Sequence, residues 1–137
     1  MSVCLDSWAV LAWLDGEQPT AARISALIDE RPIVSWVNLV EVYYRIERDH
    51  GRDAADDTIR DLRRQLSPDL PGTARMIEAA RLKARAAIAL ADCFAAVTAA
   101  AHDAVLLTGD PELIELPDPP CRIEDLRTQP GASAGSG

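Results

Sequence analysis

The chain has 137 residues, 48% of them apolar, 26% charged and 4% aromatic, with a formal net charge of −8. That length and apolar fraction fit one compact domain with a real core and exclude a wholly disordered chain. Acids outnumber bases 22 to 14, which argues against holding nucleic acid by broad phosphate neutralisation. A small focused site remains open to it, with bound cations reversing the local sign.

No apolar stretch approaches the roughly 18–20 residues of a membrane helix. Met1 to Asp6 lacks a basic n-region, so a secretory leader is not expected. Cys4, Cys93 and Cys121 are odd in number, widely spaced and without a CxxC, and read as buried thiols of a reducing cytoplasm.

In chain order, Ser2-Val3-Cys4-Leu5 is a short buried strand ended by Asp6. Ser7 to Leu14 follows as a helix closed by Gly16, and Pro19 opens a second, with Ile24, Leu27 and Ile28 at helical spacing. Ile33 to Trp36 reads as a second strand, and Asn38 to Asp49 as a long helix stopped near Gly51. A further helix is expected over Asp53–Leu66, then turn chemistry with room for a short strand over Ser67–Gly72. Helices over Thr73–Ala87 and Leu90–His102 precede the clearest β run, Ala104 to Thr108. Cys121-Arg122-Ile123 is the last expected strand, and residues 129–137, rich in Gly, Ser and Ala, read as a flexible tail. Apolar strands alternating with helices imply an α/β domain around a mostly parallel sheet.

Within that frame the position of certain acids is informative. Asp6 and Asp110 each lie just past the carboxyl end of a strand, the edge where open α/β sheets bind ligands. Each also has a plain explanation as a helix cap, Asp110 standing directly before Pro111. Asp92 shares its helix face with Ala95, Ala96 and Ala99, so no polar side chain there is placed to pair with it. Its plain reading is an acid favoured by a helix N-terminus. Glu41 is spaced for an i, i+4 surface pair with Arg45. As a set, four acids converging on one sheet edge would repel unless a hard cation such as Mg²⁺ or Mn²⁺ held them. Such a site performs phosphoryl chemistry, and the hydroxyls of Ser7 and Thr108 are placed beside it to orient water.

Taken in order, Val3-Cys4-Leu5-Asp6-Ser7, Asn38-Leu39-Val40-Glu41-Val42, Leu90-Ala91-Asp92-Cys93-Phe94-Ala95-Ala96 and Leu107-Thr108-Gly109-Asp110 resemble the motifs of PIN-domain nucleases. The likeness is closest to the VapC toxins of bacterial toxin–antitoxin pairs and spans about residues 2–127, within an expected domain of residues 1–128. It implies a PIN-like fold and a cytoplasmic, Mg²⁺- or Mn²⁺-dependent endoribonuclease hydrolysing RNA phosphodiester bonds. By motif, Asp6, Glu41, Asp92 and Asp110 would be the metal-binding and catalytic acids, with Ser7 and Thr108 as supporting hydroxyls. It further implies an RNA substrate, a homodimer, and a cognate antitoxin joining it in a hetero-oligomer. Three positions depart from the pattern: Trp8 where smaller residues are common, Cys93 for a frequent Ala, and Gly109 where many relatives carry Arg.

Arg60, Arg63 and Arg64 either guide RNA or form a solvated face with the interleaved Asp56, Asp57 and Asp61, and the second reading is favoured. Trp8, Trp13 and Trp36 read more readily as core than as an antitoxin groove, and His50 and His102 fall near helix ends without ligand spacing. Phosphate-loop, dinucleotide and serine-hydrolase motifs are absent from the sequence. Two competing functional readings stand beside the nuclease: a catalytically silent α/β protein-interaction module, and a metal enzyme acting on small phosphate esters.

Overall fold

The computed structural model describes residues 2–128; the tail expected over 129–137 lies outside the described residues. Strand β1 (Val3–Leu5) is buried along its whole length. It feeds α1 (Ser7–Leu14), α2 (Thr20–Leu27), a 3₁₀ turn at Ile28–Glu30, and β2 (Ile33–Ser35). Then come α3 (Trp36–His50), α4 (Arg52–Gln65), the short β3 (Ser67–Asp69), α5 (Thr73–Arg85) and α6 (Leu90–Ala101). The chain continues through β4 (Val105–Thr108), α7 (Pro111–Ile114) and β5 (Ile123–Asp125).

The described strands form one sheet in the order β3-β2-β1-β4-β5, and every neighbouring pair is parallel. Cys4 sits beside Ile33 on one side and Leu106 on the other, and Leu5 beside Val34 and Leu107. Because side chains alternate across a strand, these two rows face opposite layers. The Cys4–Leu106 row packs with Ala79 and Leu82 of α5 and with Cys93, Ala95, Ala96 and Ala99 of α6. The Leu5–Val34–Leu107 row packs with Val10 of α1, Ile24 of α2, Leu39 and Val42 of α3, and Leu62 of α4. The result is a three-layer α/β/α sandwich, with the alanine-rich α6 lying close enough to the sheet that its small side chains are fully enclosed.

Several boundaries differ from the sequence expectation for identifiable reasons. Trp36 belongs to α3, not to the strand, because the Ser35 hydroxyl accepts the Val37 N–H at 3.2 Å and starts the helix there. Residues 67–69 form a true edge strand, not merely a turn; Pro68 is tolerated because an edge strand has one side free of ladder bonds. Helix α5 ends at Arg85, short of Ala87, since Ala86 is already extended at φ −134° and ψ 139°. The last strand is Ile123–Asp125, two residues beyond Cys121–Ile123. Its register against β4 carries Glu124 and Asp125, whose charges are met by Arg23 at 2.9 Å and Arg127 at 3.0 Å. Gly51, at φ +94°, makes the break between α3 and α4, in a conformation L residues rarely adopt.

Candidate functional site

The direction of strand addition reverses between β1 and β4: β2 and β3 are added on one side of β1, and β4 and β5 on the other. The crevice outside the carboxyl ends of two such strands is where this class of sheet binds ligands. Asp6 follows β1 directly, and Asp110 follows β4 by one residue after Gly109.

Both acids cap helices, as their plain reading required. Asp6 Oδ1 accepts the Ala9 N–H at 2.8 Å, and Asp110 Oδ1 accepts the Glu112 N–H at 2.9 Å. Capping uses one oxygen of each. The second oxygen of Asp6 accepts from the Thr108 hydroxyl, whose own oxygen accepts the Asp110 N–H at 3.0 Å. Thr108 therefore joins the two loops in a single chain of hydrogen bonds, its side chain fully enclosed.

Asp92 stands in the first turn of α6, yet α6 has no side-chain cap bond. The residue is 8% exposed, and its carboxylate gathers with those of Asp110 and Glu112, one oxygen of each lying within 4.8 Å of the others. Helix-dipole stabilisation alone does not account for three acids at that spacing. The electrostatics record the crowding. Burial pushes Asp6 up to about 7, opposed by its bonds from Thr108 and Ala9 and assisted by the charge of Asp110. Burial likewise raises Asp92, followed by the charge of Asp110, a hydrogen bond shared with it, and the charges of Asp6 and Glu112.

Glu41 lies outside that group of three, in the middle of α3, half-buried and paired with Arg45 at 3.7 Å. The helix carrying it is nevertheless tied to the site. Asn38, three residues earlier on the same face, donates from Nδ2 to the carbonyl of Ala91, next to Asp92, at 3.1 Å. The same amide donates to the Ser7 hydroxyl at 3.1 Å, and that hydroxyl donates back to the Asn38 carbonyl at 3.3 Å. Ser7 thus locks α1 to α3, and Thr108 locks the β4 loop to Asp6. The Asn38 Oδ1 is buried without a partner.

Sequence reasoning passed over two of these residues. Glu112 was hidden by the Asp110-Pro111 cap signature; its cue was an acid in the first turn of a helix leaving the ligand edge of the sheet. Asn38 was read as a helix start and as the first residue of the Asn38–Val42 motif but given no role of its own, although a polar residue flanked by an apolar run was a cue to burial. A cleft of about 460 Å³ lined by Arg85, Ile88, Glu112 and Leu116 shares Glu112 with the acidic group.

Several of the basic residues are engaged within the fold. Arg60 pairs with Asp57 at 3.2 Å and Asp61 at 3.5 Å, and Arg63 lies over the Trp36 ring at 5.7 Å. Arg75 binds Asp69 at 2.7 Å, and Lys83 and Arg85 donate to backbone carbonyls of Ile88 and Asp118 at 2.6 and 3.0 Å. Trp8, Trp13 and Trp36 pack half-buried against the core. The donor set at the crevice is all oxygen and anionic, with buried members whose charged form needs a counter-ion, and it fits a hard divalent cation.

The PIN domain family model matches residues 3–119. The chain belongs to the PIN-domain family. Its fold is shared with solved toxin–antitoxin structures. The DNA-bound VapBC of Salmonella typhimurium matches at TM-score 0.74 and 19% identity, over 92% of this chain and 98% of that one. VapBC2 of Rickettsia felis, bound to a promoter DNA fragment, matches at TM-score 0.73 and 16% identity, over 91% and 98%. VapC20 of Mycobacterium tuberculosis, a sarcin–ricin loop cleaving toxin, matches at TM-score 0.64 and 14% identity, over 80% and 90%. No curated protein matches the sequence significantly. Among the described residues no helix is long and apolar enough to cross a membrane.

Proposed function

We propose that this PIN domain is a divalent-metal-dependent endoribonuclease and the toxin of a VapBC-type pair, acting in the cytoplasm. The observation that carries the reading is the meeting of Asp92, Asp110 and Glu112 beside the buried Asp6, at the point where strand order reverses. Asp6, Asp92, Asp110 and Glu41 are assigned as ligands of Mg²⁺ or Mn²⁺, with Glu112 joining them; Glu41 would exchange its pairing with Arg45 for the cation. A bound cation supplies neutralisation of the phosphate and activation of the attacking water.

The residues of the chain do the rest. Thr108 holds Asp6 and the Asp110 loop at a set spacing, and the Ser7–Asn38 pair holds α3 against the start of α6. Asp6 and Asp92, raised by burial, release protons as the site fills, so occupancy depends on pH. The partners assigned are an RNA substrate, a cognate antitoxin and a second copy of the chain; the VapBC neighbours support the antitoxin assignment through shared fold.

The test is cleavage by the purified protein of structured and single-stranded RNA, and of a chromogenic phosphomonoester, with Mg²⁺ or Mn²⁺ and with EDTA. RNA cleavage abolished by EDTA and by Asp92→Asn is the expected result. Full activity in EDTA, or wild-type rates from Asp92→Asn, would overturn the assignment. Mn²⁺ calorimetry on wild type and Asp6→Ala separates a metal enzyme from a silent interaction module.

A further inference from the structure

The cleft that shares Glu112 with the acidic group has two walls. One is the connection between α5 and α6, where Arg85 and Ile88 line it; the other is α7 with the turn after it, where Glu112, Glu115 and Leu116 do. Its volume of about 460 Å³ lies within the roughly 300–1,000 Å³ of small-molecule sites. Ile88 and Leu116, 5% and 7% exposed, give it an apolar floor. Arg85 reaches from the end of α5 and donates to the carbonyls of Pro117 at 3.5 Å and Asp118 at 3.0 Å, which ties one wall to the other. Glu112 and Glu115 are three residues apart, so they share one side of α7. Glu112 stands with Asp92 and Asp110, and Glu115 lines the cleft about 4.5 Å further along the helix axis.

The chemistry of the walls selects the occupant. Apart from Arg85, the charged side chains of the cleft are those of Glu112, Glu115 and Asp118, and an ionised carboxylate accepts hydrogen bonds and donates none. Three carboxylates repel a second phosphate, and the guanidinium of Arg85 in the same wall opposes a cationic side chain. A neutral, flat group with donors on its edge meets both conditions, and in RNA that group is an unpaired base. Guanine fits best, because its N1–H and N2 amino group lie side by side and match the two oxygens of one carboxylate. Uracil offers a single N–H between two carbonyl oxygens. We propose that the cleft is the pocket for an unpaired guanine adjoining the scissile phosphate, and that Glu115 reads its Watson–Crick edge. This rests on the ribonuclease reading above. A phosphate held at Asp92, Asp110 and Glu112 lies at the near end of the cleft, and its neighbouring base, one ribose away, is carried towards Glu115.

The experiment measures kcat/KM with Mn²⁺ on short single-stranded oligoribonucleotides carrying guanosine, inosine or uridine in turn at each position flanking the cut. Wild type, Glu115→Gln and Ala87→Phe are compared. At one flanking position the wild type should favour guanosine over uridine by between about 5-fold and 150-fold, the worth of one bidentate base contact. Inosine, which lacks the N2 amino group, should fall between them. Glu115→Gln keeps the side-chain shape but turns one acceptor into a donor, and should bring the guanosine-to-uridine ratio close to one with Mn²⁺ affinity unchanged by calorimetry. Ala87 is exposed and lines the same cleft, so Ala87→Phe should fill it and remove the preference by a second route. Equal rates on guanosine and uridine at every flanking position, or a preference that survives in Glu115→Gln, would overturn the proposal. So would competitive inhibition by L-argininamide that Glu115→Gln abolishes in an enzyme without base preference, which would give the cleft to a cationic protein side chain. Failure of the wild type to cleave any RNA would instead overturn the nuclease reading, and the proposal with it.

Discussion

Replacing Thr108 by Val tests whether one buried hydroxyl organises the acidic edge. The side chain is fully enclosed, donates to Asp6 Oδ2 and accepts the Asp110 N–H at 3.0 Å. Valine keeps the shape and removes both bonds. The lost bond to a buried carboxylate is worth about 1.5–3 kcal/mol, and an orphaned N–H about 1–3 kcal/mol. Water takes over part of the second loss because Asp110 is only half-buried, so the expected destabilisation is about 2–4 kcal/mol. The hydroxyl also holds Asp6 down against burial, so its loss moves Asp6 above about 7. The deficit should therefore be larger at about pH 8.5, where Asp6 must carry its charge, than at about pH 5.5, where it is protonated. Urea denaturation in EDTA at both pH values measures this, with Thr108→Ser as the variant that keeps the hydroxyl. A Thr108→Val deficit below about 0.5 kcal/mol, or one equal at the two pH values, would refute the reasoning.

Other consequences follow from the same geometry. With Asp6 and Asp92 both raised in the folded state, each contributes stability to the metal-free protein that is fully present below the ordinary carboxylate range and is lost as pH rises through about 7 for Asp6 and about 8 for Asp92; thermal melts across pH in EDTA and in Mn²⁺ should diverge on the alkaline side. Mn²⁺ binding should release protons, read by calorimetry in two buffers of different ionisation enthalpy, and an enthalpy independent of buffer would contradict it. Asp92→Asn should raise the melting temperature of the metal-free protein, by relieving repulsion with Asp110, while lowering RNA cleavage roughly a hundredfold or more. Gly109→Ala should cost about 1–3 kcal/mol by overpacking against Trp8, and much of that loss should disappear in a Trp8→Leu background.

The centre of the sheet was legible because β1 and β4 are short, apolar and bounded by a residue that ends each: Asp6 after Leu5, and the Gly109-Asp110 pair after Thr108. Its edges were less so. Ser67-Pro68-Asp69 carries no apolar signal, because an edge strand is paired on one side only and Pro68 sits where no ladder donor is needed. Ile123–Asp125 was displaced in the sequence reading because Glu124 and Asp125 look like loop residues until Arg23 and Arg127 are seen to meet them. At the site, the positions of Asp6, Asp92 and Asp110 on their elements followed from chain order, but their convergence did not. Convergence depends on how α6 crosses the sheet, which is set by the enclosed alanines along its inner face and by the Asn38–Ala91 tie. Glu112 escaped notice because a cap and a ligand edge demand the same residue types in the same turn.

That overlap bears on how such a site is built. An acid assigned to a cap and an acid assigned to a cation are not alternatives when a carboxylate has two oxygens. Asp6 and Asp110 each spend one on the first turn of the following helix, and Asp6 takes the Thr108 hydroxyl on the other, which together fix the side-chain torsions. The caps thereby supply the preorganisation that a cation site needs. Among the described residues, Arg75, Lys83 and Arg85 donate to Asp69, Ile88 and Asp118 respectively. In the proposed reading the missing positive charge arrives with the metal, so the same acids that repel RNA in the free protein draw its phosphate in once loaded. Replacing Asp6 by Asn separates the two roles, since the amide oxygen still caps α1 while the anion is gone. A protein that keeps its fold yet loses both Mn²⁺ binding and cleavage is the expected outcome, measured by melting, calorimetry and RNA assay together. Retained Mn²⁺ affinity in that variant would show that Asp6 serves the helix alone.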